Sequence, residues 1–392
     1  MSVYIISDLH LHDENQPYLF TPEKEAVFAK LAREVSETNA KLVFNGDILD
    51  LTGTEPPGHG LDEFFAELLS PDELKLPVIE NARIRRTQSQ RVRAIADRFP
   101  LFFREIARLH REGRLIWILG NHDCELGSPE AHRELSNILE TTTLRFEAGF
   151  KFASVLVSAH GNEFDPSNRT EKSCANRGEV ITRVLYKAVM PALFAMGMEE
   201  RFVYALPATR PEEEIVNGIE AHLGSEKTKI FLLAFARLLD RNGYFRGVSS
   251  GPMWFLLHQV PLFSALIRHF ITPARVRRSL PDEKHLKLMA RVGAKRILNQ
   301  LRRSKQNGYQ FVVLGHTHEL DWDDHYVNLG TWIDHVRGPN LEQLTHADRS
   351  LPIFKIESET KAILYDAATA ETSGSAHLTA SAKILQTFNL AE

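Results

Sequence analysis

The chain has 392 residues, of which 43% are hydrophobic and 25% are charged, and its formal net charge is -4. This composition is that of an ordinary globular protein and argues against a disordered, collagen-like or integral membrane protein. The length predicts either two domains or one core with a large insertion. The small negative charge gives the chain as a whole no signature of polyanion binding.

The N-terminus and the cysteines bear on where the chain works. The opening residues, MSVYIISDLHL, lack a basic region followed by a long apolar stretch and a cleavage site, so no signal peptide is predicted. Cys124 and Cys174 are the only cysteines, which excludes a disulfide framework and fits a reducing compartment. The apolar stretch 253–271 is interrupted by Pro261 and Arg268, so it predicts buried or interfacial helices. A cytoplasmic protein is therefore expected.

Short runs of branched apolar residues recur along the chain, and each stops at Gly, Asp, Asn or His. The runs are VYIISDLHL, KLVFNGDILDL, RLIWILGNHD, SVLVSAHGNEFD, QFVVLGHTH and HYVNLGTWID. Such runs predict buried strands. Amphipathic stretches at about 22–38 and 88–112 lie between the first three runs and predict helices. This alternation indicates an α/β layer architecture.

The pattern changes between about Pro166 and Gln306, where strand-like runs are absent from the sequence. In EVITRVLYKAVMPALFAM the apolar residues from 180 to 193 fall at the spacing of one helix stripe. Further helices are predicted at 211–223, 227–241, 252–272 and 283–305. Because strand runs resume at Tyr309, this segment is expected to be a helical insertion in the core. After Asp366 the small polar residues predict a mobile tail with a short terminal helix.

Residues of the types that bind metals stand at the ends of the predicted strands. In chain order they are Asp8, His10, Asp47, Asp50, Asn121, His122, Asp123, His160, His316 and His318. The loops that follow parallel strands converge at one edge of a sheet, so these side chains are expected to surround one point. Residues i and i+2 of an extended strand end point the same way, which favours joint use of the pairs at positions 8 and 10 and at 316 and 318.

The donor types predict a pair of divalent metal ions. Two such ions about 3.5–4 Å apart can clamp a phosphate and lower the pKa of a bridging water. The donors are oxygens and imidazoles, and the absence of thiolates favours manganese, iron, zinc or cobalt over a structural zinc site. Each pair alone is a weak signal that surface residues often produce. The ordered set of strand-end blocks is a strong one.

The blocks SDLHL, GDILD, GNHD, AHGN and GHTH, in this order, resemble the signature of the calcineurin-like metallophosphoesterase superfamily. The resemblance covers residues 1–165 and 306–366 and implies a layered α/β/β/α core there. It does not extend to the all-helical insertion or lid predicted at 166–305 or to the C-terminal tail predicted at 367–392. It also implies two bound metal ions, with manganese as the first choice and iron, zinc or cobalt as alternatives. Asp8, His10 and His318 would bind one ion, Asn121, His160 and His316 would bind the other, and Asp47 would bridge them.

The same resemblance implies roles for the remaining polar residues. His122 would lie beside the scissile phosphate and protonate the leaving group or stabilise the developing charge, with Asp123 orienting its ring. Asp50 would hold a metal ligand in place without touching the metal. His12 and Asp13 are expected to be loop residues outside the site. No substrate-binding residue is predicted.

Within the superfamily, the phrases HGNEFD and VNLGTW and the helical insertion are most similar to the branch that contains the UDP-2,3-diacylglucosamine pyrophosphatases. This similarity implies that a metal-activated water cleaves a phosphodiester or pyrophosphate bond of an amphiphilic nucleotide-sugar lipid. The chain departs from that branch at His122, where the branch carries Arg, and in the large size of its insertion. The alternatives are a nuclease or cyclic-nucleotide phosphodiesterase, a phosphomonoesterase and, in another class, a non-catalytic protein-binding scaffold.

Two basic stretches bear on partners beyond the phosphate-ester substrate. Between Ile271 and Lys305 there are eleven Lys and Arg and two acids, so this stretch could contact an anionic membrane surface, and a merely solvated face is the alternative. Aromatic residues for base stacking are sparse there, so nucleic acid is the less favoured partner. One arginine of the run ARIRRTQSQRVR (83, 85, 86, 91 and 93) is expected to reach the cleft. No feature predicts an oligomeric state.

Overall fold

The computed structural model describes most of the chain. The described residues are 1–13, 16–52, 86–165, 168–169, 176–209, 213–228, 231–232, 235, 283–306, 308–336, 347–348, 350–368 and 377–390. The predicted helix at 252–272, most of the one at 227–241, and Arg83, Arg85, Arg275, Arg277 and Arg278 lie outside these residues.

The described strands form two larger sheets and a two-stranded ribbon. In chain order they are β1 (Val3–Ile6), β2 (Lys41–Asn45), β3 (Leu115–Ile118), β4 (Phe150–Phe152), β5 (Leu156–Ser158), β6 (Phe311–Leu314), β7 (Leu320–Asp323), β8 (Tyr326–Leu329), β9 (His335–Val336), β10 (Ala347–Asp348), β11 (Pro352–Ile356), β12 (Lys361–Asp366) and β13 (Lys383–Asn389). The first sheet has the order β13-β12-β11-β1-β2-β3, the second has the order β4-β5-β6-β8-β7, and β9 pairs with β10. Strands β1 to β3 run parallel, as do β5, β6 and β8, so the loops after them meet at common edges.

The described helices largely follow the sequence pattern. They are α1 (Pro22–Glu37), α2 (Gln88–Arg98), α3 (Pro100–Arg111), α4 (Pro129–Ile138), α5 (Arg177–Val184), α6 (Met190–Ala195), α7 (Glu200–Ala205), α8 (Glu213–Leu223), α9 (Glu283–Arg303) and α10 (Leu378–Ser381). The stretch predicted as one helix over 88–112 is two helices, because Pro100 has no amide hydrogen and forces Phe99 out of the helical region, to φ -122° and ψ 59°. A π-helical turn at Leu185–Val189 joins α5 to α6.

These elements are stacked in four layers, with clusters of buried apolar residues between them. Helices α1 and α3 pack on the outer face of the first sheet, where Phe28, Phe44 and Phe102 are buried together. Between the two sheets lies a second cluster that includes Val43 and Val313. Helix α9 covers the outer face of the second sheet. The predicted α/β class, with its layered α/β/β/α core, is thereby confirmed.

Helix α9 shows where the core resumes after the helical segment. Ala290, Ala294 and Leu298 on this helix pack against Val312 and Leu314 of β6. Without the helix, the apolar outer face of the second sheet would be in contact with water, which is unfavourable. We therefore propose that the core resumes at about residue 283 and not at the predicted residue 306.

The described helices α5 to α8 have a core of their own. Val189, Leu193 and Phe202 are buried in it, and it extends to Leu19 and Ile333 of the layered core.

The described part of the chain contains no helix that is both long and apolar enough to cross a membrane. Cys124 is disulfide-bonded, so the cysteine count gives no support for a reducing compartment.

The described C-terminal residues are not a mobile tail. Strand β13 pairs antiparallel with β12 at the edge of the first sheet, and Phe388 enters the core between the sheets. The backbone amide of Thr379 donates to Glu34 of α1 at 3.0 Å. The sequence signal is weak because most β13 side chains are half or fully exposed, so the strand lacks a clear apolar alternation.

Candidate metal centre

The loops after β1, β2, β3, β5 and β6 bring the predicted polar residues to one edge of the two sheets. Three groups have ligand atoms within 4.8 Å of one another: Asp8 with His10 and His318, His10 with Asp50 and His122, and Asp47 with His160 and His316. Each group combines residues that are far apart in the sequence. The convergence expected from the strand order is therefore present in the structure.

The backbone at these residues is not extended. Asp8, His10, Asp47, His316 and His318 all have positive φ values, between 51° and 73°. The argument from extended strand ends is therefore wrong, and the paired side chains converge through left-handed turns. Such turns are strained for non-glycine residues and persist where surrounding contacts fix them, as they often do at functional sites. Here the backbone amides of Asp8 and His10 donate to the carbonyls of Gly46 and Asp47, at 3.1 and 3.0 Å.

The first group presents two imidazoles and a carboxylate to one point. The Nε2 atoms of His10 and His318 are 3.0 Å apart, and they lie 3.9 and 3.4 Å from Asp8 Oδ1. Asp8 is held in place because its Oδ2 accepts from the Ser7 hydroxyl at 2.5 Å and from the backbone amide of His316 at 3.0 Å. Two imidazole nitrogens facing each other beside a carboxylate fit a shared cation.

Buried polar atoms that lack a hydrogen bond occur in the group of Asp47, His160 and His316, and also at Asn121. Among the described residues, Asp47 Oδ2, Asn121 Oδ1 and His160 Nε2 have no hydrogen-bond partner, although the Asp47 and His160 atoms are 3.0 Å apart. The other ring nitrogen of His160, Nδ1, lies 2.8 Å from the carbonyl of Asn45. A proton on Nδ1 leaves Nε2 as an acceptor. A divalent cation beside Asp47 and His160 would satisfy their two atoms, and the oxygen and imidazole donor types suit one.

Asp47 belongs to the group with His160 and His316 and also lies close to His10 of the first group. Its Oδ2 is 3.0 Å from His160 Nε2 and 3.9 Å from His10 Nε2, and its Oδ1 accepts from the backbone amide of His122 at 2.8 Å. The glycine before it is required, because Gly46 has a φ of +91° and a Cβ there would lie 2.3 Å from His160 Nδ1. A Cβ at Gly120 would likewise lie 2.1 Å from Asp47 Oδ1. The glycines of these two blocks therefore make room for the polar side chains.

The carboxylate against the His122 ring belongs to Asp50. His122 Nδ1 lies 3.4 Å from Asp50 Oδ1, and the His122 side chain is 17% exposed. Asp123 was expected to orient this ring, but its carboxylate accepts from the backbone amides of Ile48 and Gly120, at 2.9 and 2.6 Å. These bonds turn the Asp123 side chain into the core, where it connects two of the site's loops.

Electrostatics favour positive charge throughout this cluster. Burial opposes protonation of His160, but the carboxylates of Asp47 and Asp8 outweigh it and raise the pKa of the ring to about 10. Burial also opposes protonation of His122, and here Asp47 and Asp50 raise the pKa to about 10. The carboxylates that raise these pKa values would also attract divalent cations, which would displace the proton of His160 on binding.

Comparison with known proteins agrees with this geometry. Residues 1–179 match the family of calcineurin-like phosphoesterases. The match covers the first four of the five blocks and supports the superfamily that they suggest. The enzyme class, a metal-dependent hydrolase of phosphate esters, is confirmed. A search of curated proteins finds no match.

Three polar residues beside the phosphoesterase site were not expected from the sequence. Asp165 Oδ2 lies 3.1 Å from His316 Nε2, and Asn168 Oδ1 accepts from Asn121 Nδ2 at 3.5 Å. Glu179 is only 2% exposed, burial raises its pKa to about 8, and its ionised form would raise the pKa of His122. Asp165 lies within the phrase HGNEFD and could have been singled out there. No pattern marks Asn168 or Glu179, which approach the site only through the fold.

A buried ion-pair cluster lies behind the His10 loop of the phosphoesterase domain. The carboxylate of Asp13 lies 2.7 Å from Arg91 Nη2 and 3.3 Å from His12 Nδ1, and Arg86 also donates to it. Arg91 is fully buried. Arg93, on the same helix, pairs with Glu134 instead. The described arginines of this run are thus engaged in structural ion pairs, and none is placed in the cleft.

Replacing Arg91 with leucine is expected to lower the free energy of unfolding by about 3–5 kcal/mol, because removal of one partner of a buried ion pair leaves the other charge poorly compensated. The matched control is Arg93→Ala on the same helix, whose side chain is 50% exposed and whose loss should cost less than about 1 kcal/mol. Denaturant unfolding of the full chain measures both. Equal shifts for the two variants would show that burial of the Arg91 pair is unimportant for stability.

Proposed function

We propose that this phosphoesterase is a dinuclear enzyme that cleaves a phosphodiester or pyrophosphate bond. The observation that supports a dinuclear site is the position of Asp47 between two groups of ligand atoms. In this proposal Asp47 bridges two divalent ions. One ion is held by Asp8, His10 and His318, and the other by Asn121, His160 and His316. Manganese is the proposed metal, with iron, zinc and cobalt as alternatives.

Two bound divalent ions would supply an activated water and stabilise the charge that develops on the phosphoryl oxygens. The side chains of the chain itself would then handle the leaving group. His122 is the partly exposed imidazole of the cluster, and the nearby carboxylates favour its protonated form. We assign it the role of donating a proton to the leaving oxygen. Asp50 would hold the ring at Nδ1, and Asp123 would hold the loops that carry His122 and Asp47.

The charge of the site does not select the bond that is cleaved. A phosphomonoester carries up to two negative charges near neutral pH, since its second pKa is about 6, whereas a diester carries one and a disubstituted pyrophosphate carries two. Two divalent ions would outweigh the charge of the carboxylates of Asp8, Asp47 and Asp50 for all three substrates. The preference for a diester or pyrophosphate therefore comes from the similarity of the sequence to the pyrophosphatase branch.

We further propose an amphiphilic substrate of the nucleotide-sugar lipid type. The similarity of HGNEFD, VNLGTW and the insertion to the UDP-2,3-diacylglucosamine pyrophosphatase branch supports it. In the described part of the basic stretch 271–305, Lys284, Lys295 and Arg302 are exposed on α9. Their charge suits peripheral contact with an anionic membrane surface. The segment proposed to line an acyl groove, 253–271, lies outside the described residues.

The first test compares turnover of bis(p-nitrophenyl) phosphate with turnover of p-nitrophenyl phosphate by the manganese-reconstituted full chain. A ratio well above one is expected, because the proposed substrate is a diester or pyrophosphate and not a monoester. The Asp47→Asn variant, purified in parallel, controls for contaminating phosphatases. A ratio well below one would indicate a phosphomonoesterase and would overturn both the diester proposal and the lipid substrate built on it.

A further inference from the structure

A chain of hydrogen bonds connects two of the proposed ligands of the second metal. Asn121 Nδ2 donates to Asn168 Oδ1 at 3.5 Å, and Asn168 Nδ2 donates to Asp165 Oδ2 at 2.5 Å. The same Asp165 oxygen lies 3.1 Å from His316 Nε2. We propose that Asn168 and Asp165 are positioning residues that preset Asn121 and His316 for the second metal ion. This inference rests on the proposed dinuclear site.

At Asn121 this chain of hydrogen bonds selects one orientation of the side-chain amide. The nitrogen of this amide is bound to Asn168, so the oxygen faces the site. That oxygen is buried and has no hydrogen-bond partner among the described residues. Only the oxygen of an amide can bind a cation, because the nitrogen carries two hydrogens and has no free lone pair. Without Asn168, the amide of Asn121 is free to rotate and to present its nitrogen to the site.

At His316 the same chain of hydrogen bonds selects one tautomer of the ring. A carboxylate accepts hydrogen bonds only, so Asp165 requires a proton on His316 Nε2. The opposite nitrogen, Nδ1, is then left with its lone pair available to a metal. A carboxylate behind a ligating histidine is a common arrangement in metal sites, and loss of such a partner weakens metal binding by about 10–100-fold.

Asn168 is itself held by the start of the helical segment. Its carbonyl accepts from Asn162 Nδ2 at 3.1 Å and from Asn176 Nδ2 at 3.4 Å, and Asn176 also caps α5 by accepting from the Glu179 amide at 2.8 Å. Helix α5 comes so close that a Cβ at Gly178 would lie 1.7 Å from Asn168 Oδ1. The orientation of the Asn168 side chain therefore depends on the position of α5. Through Asn168, the first helix of the insertion would affect binding of the second metal ion.

The contacts predict an effect on one metal only. The side chains of Asp165 and Asn168 contact His316 and Asn121, which are both proposed ligands of the second metal. The two sites can therefore be separated by titration. Mn²⁺ binding to the metal-free full chain, measured by calorimetry, should give two dissociation constants for the wild type.

We expect Asn168→Ala and Asp165→Ala to weaken one of these two sites by about 10–100-fold and to leave the other site unchanged. Asp165→Asn should recover part of the loss, because its amide oxygen can still accept from His316. Gly178→Ala should resemble Asn168→Ala, since the added methyl group displaces the Asn168 side chain. Asn137→Ala, an exposed asparagine on α4, is the matched control.

Thermal melting of the metal-free variants separates positioning from a general structural role. The inference predicts that the metal-free Asn168→Ala protein melts close to the wild type while one of its two metal sites is impaired. It is overturned if both sites of Asn168→Ala and Asp165→Ala keep wild-type affinity, or if both sites weaken together with a large fall in melting temperature. A wild type that binds only one Mn²⁺ would instead contradict the proposed dinuclear function.

Discussion

Replacing Asp47 with asparagine is expected to remove metal and activity together. The change keeps the size of the side chain and an oxygen that can accept from the His122 amide, but it removes the negative charge between His160 and His10. We expect less than one retained manganese per chain after desalting. Activity should fall by on the order of 10³-fold or more, which corresponds to about 4 kcal/mol of transition-state stabilisation.

Elemental analysis of the desalted protein and turnover of the diester together measure this effect. Asp324→Asn is a suitable control, because it makes the same chemical change at an exposed carboxylate in the turn between β7 and β8. If the Asp47→Asn variant kept two manganese ions per chain, Asp47 would not be the bridge. If it kept full activity without metal, the whole catalytic proposal would be wrong.

Replacing His122 with alanine is expected to reduce the turnover number by about 10²–10⁴-fold while both metals remain bound, because the variant loses the proposed proton donor and no metal ligand. The loss should depend on the leaving group. A diester with an alkyl alcohol as leaving group needs protonation and should show the full loss. A diester with p-nitrophenolate as leaving group needs little protonation and should show much less.

Two carboxylate variants test which acid supports His122. Asp50→Asn should reduce turnover of the alkyl diester, because Asp50 lies 3.4 Å from the His122 ring. Asp123→Asn should act mainly on stability, since Asp123 accepts hydrogen bonds from the backbone of Ile48 and Gly120. Equal loss on both leaving groups in His122→Ala would contradict proton donation. A larger leaving-group effect in Asp123→Asn than in Asp50→Asn would contradict the role given to Asp50.

The main features of the fold follow from local patterns in the sequence. Apolar runs that stop at Gly, Asp, Asn or His mark strands, and helical spacing marks α1 and α9, whose observed bounds lie within two residues of those predicted. Strand β13 could not be predicted in this way, because an edge strand with exposed side chains has no strong periodicity. The packing of α9 against the second sheet could not be predicted from the sequence pattern either, since the pattern of an amphipathic helix does not specify which apolar surface it will cover.

The sequence by itself determined which side chains carry the chemistry and in what order they occur, because metal donors must stand in the short loops that directly follow buried strands. Only the tertiary structure decided which of them meet. Asp50 and not Asp123 lies against His122, and Asn168 joins Asn121 to Asp165 and His316. These contacts join residues distant in the chain through left-handed turns and the seating of α5. No local pattern encodes them, since their geometry exists only once the sheets and helices have packed.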